Sequence, residues 1–232
     1  MNQYTKKFLK NHLIEIIMSI PKTVYFNFKV LPGKQAIRLP YIVSYHVKLS
    51  GINRNTFLTN VNDLPTCSMR IGFGDSITSR RESPKSLLCV EKGGQIQVGK
   101  DLGLSQGCII YANNAKLILG NKFRCNYSTT IDCSDADIKI GNNVVLGWNV
   151  TIKNNDGHYV IENGKDSIIS KEIVIKDHVW VCAYATLLKG ICIQKNSVVA
   201  YGALLTNTID RENVLYGGVP AKVIKEDVSW RE

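Results

Sequence analysis

A mainly β chain wound as a three-sided coil of very short strands is predicted by three observations. The segments Gln95–Ala115, Lys116–Ala136 and Asp137–Gly157 superpose, each opening on an alternating apolar block closed by glycine: QIQVG, KLILG and DIKIG. Within them an apolar residue returns every six positions: Val98, Leu104, Ile110; Leu119, Cys125, Ile131; Ile140, Leu146, Ile152. After one interruption the same step resumes as Ile175, Val181, Leu187, Ile193, Val199 and Leu205. A helix recurs at 3.6 and a lone strand at 2, so a sustained six, a whole number of strand periods, describes short strands joined by corners. Four residues after most markers stands a second small or aliphatic residue, as at Leu102, Cys108, Val144, Val150, Val179, Ala185, Ile191, Ser197 and Ala203. A six-residue side cannot bury its own apolar surface and is stable only when rungs above and below cover it. Ile175 to Ile193 is 18 residues, three sixes and so three sides; the 21-residue repeats carry three extra residues at one corner.

The remaining elements follow in chain order. Leu9, Leu13, Ile16, Ile17 and Ile20 recur at helical steps with lysines interleaved, which predicts an amphipathic helix over Tyr4–Ile20 ending at Pro21. Thr23–Leu31 and Tyr41–Leu49 alternate with period two and are expected to be strands joined around Pro32-Gly33 and Pro40. From Gly51 to Gly94 the pattern is weak: Ile71-Gly72-Phe73-Gly74 reads as an early rung and Ser79–Lys85 as an exposed loop. Asp210–Asn213 turns the chain off the last rung, and Gly217–Lys222 leads to a polar tail read as a candidate helix. The expected organisation is an N-terminal helix and strand extension over 1–70, the coil over 71–225 with an extruded loop at about 156–171, and a tail over 226–232.

Composition sets bounds. With 44% hydrophobic and 21% charged residues the chain falls among soluble globular proteins, and no run of 18 apolar residues predicts a membrane span. Glu15 interrupts the apolar patch Leu13–Ile20 and no small-residue cleavage site follows, so no secretory signal is expected. The seven cysteines contain no C-x-x-C and sit among repeat positions, which points to free thiols in a reducing, cytoplasmic setting without structural zinc. Residues 1–50 hold eight basic side chains against Glu15 alone, seven of the ten net positive charges. That asymmetry fits an anionic partner such as the inner face of a membrane or a phosphate-bearing glycolipid, and equally a solvated basic face. No aromatic-basic motif accompanies the charge, so nucleic acid is not an expected partner.

The break in the six-residue rhythm opens with Asn155-Asp156-Gly157-His158. A loop extruded from a rigid stack keeps its first residues beside the scaffold, and histidine exchanges a proton near neutral pH, so His158 is the candidate general base. His12, His46 and His178 are read as ordinary structural or surface histidines.

Gln95–Lys225, with its repeats, its Asp-Gly-His, Val179-Trp180-Val181, Ser197–Ala203 and Gly218–Ile224, resembles the hexapeptide-repeat acyltransferases. Their fold is a left-handed parallel β-helix, and they include galactoside, maltose, serine and capsular-polysaccharide O-acetyltransferases. Left-handedness is implied by the resemblance alone, since parallel crossovers are otherwise nearly always right-handed. The resemblance further implies acetyl-CoA as co-substrate, no metal, and His158 as the base that deprotonates a sugar hydroxyl for attack on the thioester, with backbone N–H groups stabilising the oxyanion. Asp156 would orient His158, contact the acceptor or shape the turn. Ala183 and Tyr201 match positions lining the pantetheine groove, Thr206, Lys222 and Lys225 positions near the phosphates, and Trp180 an aromatic near the active centre. Asn207, Cys182, Tyr184 and Tyr201 depart from the basic or small residues usual there. A homotrimer with sites between helices, working in surface-polysaccharide assembly, completes the expectation. An amino-sugar nitrogen as acceptor, or another acyl-CoA as donor, stays open.

Overall fold

The computed structural model describes residues 8, 10–59, 63–74, 84–208 and 210–231. Tyr4–Lys7 and Leu9 of the expected N-terminal helix, and Ser79–Ser83 of the expected exposed loop, lie outside the described residues.

Three stacks of parallel rungs form the walls of a prism. Face I runs from Tyr41–Val43 through Met69–Ile71, Gly103–Leu104, Arg124–Cys125, Val145–Leu146, Trp180–Val181 and Val198–Val199 to Leu215–Gly218. Face II comprises Val47–Ser50, Ser86–Glu91, Ile109–Asn113, Thr130–Ser134, Thr151–Lys153, Thr186–Leu188 and Leu204–Leu205. Face III comprises Phe57–Thr59, Gln95–Val98, Lys116–Leu119, Ile138–Ile140, Ile173–Ile175 and Cys192–Ile193. The six-residue markers become three vertical columns. Leu104, Cys125, Leu146, Val181 and Val199 are in register on face I. Ile110, Ile131, Ile152, Leu187 and Leu205 align on face II, and Val98, Leu119, Ile140, Ile175 and Ile193 on face III. All are buried in one continuous core, each large aliphatic side chain contributing about 1.5–3 kcal/mol.

The corners explain the period. At the face I to II corner the second turn residue is left-handed in successive coils (Ser128, Asn149, Tyr184, Gly202), and at the III to I corner so are Lys122, Asn143, His178 and Asn196. The III to I corner is tied by a ladder in which each side-chain oxygen accepts from the coil below: Lys100 N–H to Asn121 Oδ1 (3.0 Å), Asn121 N–H to Asn142 Oδ1 (2.9 Å), Asn142 N–H to Asp177 Oδ1 (2.7 Å). Glycine at 141 is required there, because a Cβ would lie 2.3 Å from Asp177 Oδ1. The three extra residues of the 21-residue repeats fall at the II to III corner, between Ile110 and Leu119 and between Ile131 and Ile140.

Three expectations are corrected. A helix, α1, spans Leu13–Val30 with Pro21 inside it, so Thr23–Leu31 is not a strand. The alternation of Val24, Phe26, Phe28 and Val30 arises because α1 is apolar on two sides: Phe26 and Val30 are buried, Val24 and Phe28 exposed. Pro21 stands on the exposed side, where the freed carbonyl of Ile17 can bond water. Tyr41–Leu49 is not one strand either: it bends at Ser44–His46 and serves two faces, so the coils begin at Tyr41, ahead of residue 71. Ser44 holds that corner, accepting from Val47 N–H through its carbonyl and donating through Oγ to Glu15. Finally, the C-terminal segment is extended: Ala221–Lys225 runs antiparallel to Leu215–Gly218, and Trp230 then returns to donate to the His178 carbonyl at 2.9 Å.

α1 closes the N-terminal end of the prism. Asn27 Nδ2 donates to Tyr41 O (2.8 Å) and its Oδ1 accepts from Tyr41 N–H (3.2 Å), while Thr23 Oγ1 accepts from Val43 N–H (3.0 Å) and donates to Val43 O (3.3 Å). Two side chains thus satisfy the free edge of the first rung, where another strand would otherwise add. Phe26 completes the plug, edge-on to Tyr41 (5.2 Å) and Phe57 (5.3 Å).

Candidate active site

The chain leaves the stack after Thr151–Lys153, at the same corner that carries the three-residue insertions, and returns at Ile173–Ile175. Between them an arm is folded as a hairpin, Ile161–Glu162 against Lys165–Asp166, turned by Asn163-Gly164, both left-handed. Its root is fastened at both ends. Asn154 is buried, accepting from Ser134 N–H at 2.8 Å and donating to Ala136 O. Asn155 pairs in a bridge with Ser170, donates to Asp135 Oδ2 (3.1 Å) and accepts from Gly157 N–H (2.6 Å). Asp156 N–H donates to Ile169 O at 2.9 Å.

Asp156 and His158 stand together at this root, but their side chains do not pair. The Asp156 carboxylate takes the ammonium of Lys189, which also donates to Ile168 O at 2.6 Å. One lysine from the next coil therefore ties the entry and the exit of the arm. His158 is exposed, and among the described residues none hydrogen-bonds its ring. Sequence reasoning passed over Lys189, Asn154 and Asp135, and took Asn155 only as the first residue of the break in the rhythm.

The other predicted residues fall into two groups. Thr206 is exposed on the arm's own corner, directly after Leu204–Leu205, whose register places it above Leu188. Trp180, Ala183 and Tyr201 lie on face I and the I to II corner. At that corner backbone bonds stack Gln106, Tyr127, Trp148 and Ala183 in one column, their carbonyls accepting from Ser128, Asn149, Tyr184 and Gly202. Ala183, nearly buried, forms a notch between exposed Trp148 and a Tyr184–Tyr201 ring pair 5.2 Å apart. Trp180 projects from face I, 6.3 Å from Trp230, which stacks on His178 at 4.5 Å. Lys222 and Lys225 are exposed on the terminal hairpin of face I. On a single chain, Ala185 to Lys189 across face II separates the two groups by roughly 13 Å at strand rise.

A small residue flanked by aromatic side chains thus stands at the I to II corner, and two exposed lysines stand on the terminal hairpin. The root of the hairpin offers an imidazole with open access. Among the described residues no three His, Cys, Asp or Glu side chains gather as a metal site.

No family model matches the chain. Over 121 residues it is 31% identical to the galactoside O-acetyltransferase of Escherichia coli (strain K12), a match covering 51% of this chain and 58% of that protein. It is 37% identical over 95 residues to the polysialic acid O-acetyltransferase of Neisseria meningitidis, covering 40% and 44%. The chain thus spans about three fifths of the length of the first curated relative it matches. Among solved structures, the polySia-specific acetyltransferase NeuO superposes with a TM-score of 0.53 at 20% identity, over 83% of this chain and 89% of that one. The prism is a left-handed parallel β-helix, like these neighbours.

Proposed function

We propose that this chain, a relative of the hexapeptide-repeat O-acetyltransferases, moves an acetyl group from acetyl-CoA to a hydroxyl of a sugar. The observation that carries this reading is the exposed imidazole of His158 at the fastened root of the arm. Acetyl-CoA supplies an acetyl thioester; the rest is work for the protein. The Ala183 notch and its rings seat the pantetheine arm, and Lys222 and Lys225 meet the phosphates, with Trp180 beside the thioester end. Thr206 stands on the arm's corner beside the incoming donor. His158 takes the proton of the acceptor hydroxyl as the oxygen attacks, and returns it to the departing sulfur. Asp156 works through Lys189, as a positioning residue that holds the arm.

Because face II separates the two groups, the site is completed between copies packed side by side. A homotrimer does this with one repeated contact, the notch of one copy receiving the arm of the next. The relatives acting on galactosides and polysialic acid support a sugar or polysaccharide acceptor, and surface-polysaccharide assembly at the cytoplasmic side of a membrane is the setting we assign.

Thiol release from acetyl-CoA, followed over a panel of free and polymeric sugars, tests the reading. His158→Ala is expected to lower sugar-dependent release by about 10²–10⁴. Release from the variant equal to that of the native protein overturns the assignment of the base.

A further inference from the structure

α1 presents one face to the prism and a more apolar face away from it. At 100° per residue, Ser19, Thr23, Phe26, Asn27 and Val30 share the buried side. Leu13, Ile14, Ile17, Met18, Ile20, Val24, Tyr25 and Phe28 share the opposite one, with exposures from 38% to 76%. No acidic residue interrupts that second face, and Glu15, the single acid of residues 1–50, is turned inward to Ser44 and His12. Such a run of apolar side chains needs a partner.

The geometry points to an anionic lipid surface as that partner, with α1 lying in its plane. Two observations select it over a second copy of the chain. Because Thr23 and Asn27 bond the free edge of the first rung, the exposed face of α1 looks out of the end of the prism, along the stacking axis. Copies packed side by side leave that end open, and copies packed end to end would bring two strongly basic ends together. Exposed Lys10, Lys29, Lys34 and Lys48 belong to this end, and their attraction to anionic headgroups adds to burial of the apolar face. No described helix is long and apolar enough to cross a membrane, so α1 lies on the surface. The prism then stands on its base with α1 between it and the lipid, and the arm lies four rungs beyond the first, about 19 Å at 4.8 Å per rung. This inference does not depend on the chemistry of His158.

Sedimentation of the full chain with vesicles of phosphatidylcholine alone, or with phosphatidylserine added, tests it. Binding is expected to the anionic vesicles, to weaken with salt, and to fall about tenfold or more in Ile14→Asp/Ile17→Asp. Both positions are on the exposed side, and circular dichroism checks that the variant is folded. Native protein that ignores anionic vesicles, or a folded variant that binds them equally, overturns the proposal. So does a variant whose only change is a smaller mass by light scattering, which assigns the face to a second copy.

Discussion

Lys189 holds the arm by two bonds, one to the Asp156 carboxylate and one to the Ile168 carbonyl. Replacing it with methionine keeps the aliphatic stem and removes both. The ion pair is partly exposed, with the lysine side chain at 20% and the aspartate at 37%, so screening leaves it about 0.5 kcal/mol. The charged bond to a backbone carbonyl contributes about 1–1.5 kcal/mol more. Together these amount to roughly 1.5–2 kcal/mol of preference for the seated arm, or a ten- to thirtyfold shift in its seated population. The root of the arm keeps its bridge between Asn155 and Ser170, so the loss is local. Limited proteolysis should therefore cut the arm about tenfold faster in Lys189→Met, while the urea midpoint of the whole chain scarcely moves. In the proposed reaction kcat should fall by less than this factor, with recovery in Lys189→Arg, because His158 rides on the seated arm and turnover follows the seated fraction. Unchanged cleavage and unchanged turnover together would refute the reasoning that this lysine positions the arm.

Two further predictions concern the scaffold. Asn27→Leu leaves the Tyr41 N–H and carbonyl without their amide partner at the buried end of the prism, and should cost about 2–4 kcal/mol, read as a lower urea midpoint with an unaltered slope. Burial pushes the Cys133 thiol up to about 12, and burial together with the Glu91 carboxylate pushes the Tyr111 phenol up to about 12. Both groups hold their protons longer in the folded chain than in the unfolded one. Their contribution is therefore complete below the ordinary thiol range and is lost as pH rises toward about 12. Urea midpoints should decline across that window, less steeply in Cys133→Ala; a flat profile would contradict the sign.

The repeats were readable because their cause is local. Each marker from Val98 to Leu205 is apolar since it points inward, and the short rung and tight corner force the next inward position to come six residues on. The helix was misread for an equally specific reason. Val24, Phe26, Phe28 and Val30 alternate in the chain, and only the docking of Asn27 and Thr23 onto the first rung reveals that two of the four face away from the core. The strand expected over Tyr41–Leu49 failed because Ser44 bonds a residue on α1, a partner that spacing along the chain does not disclose.

The candidate site divides the same way. His158 was visible as the residue at a break in a rhythm, yet its fastening depends on Lys189, which lies 33 positions after Asp156 and reaches it only because one coil stacks on another. Residue spacing by itself determined the number of walls, the inward columns and the corner from which the arm leaves, since these follow from the covalent reach of the backbone between buried positions. The folded chain decided what spacing leaves undefined: the outward apolar side of α1, the lysine that seats the arm, and the face that keeps Ala183 and Tyr201 apart from His158. Those depend on contacts between coils, where any residue of suitable shape and charge can serve, so no pattern along the sequence marks them.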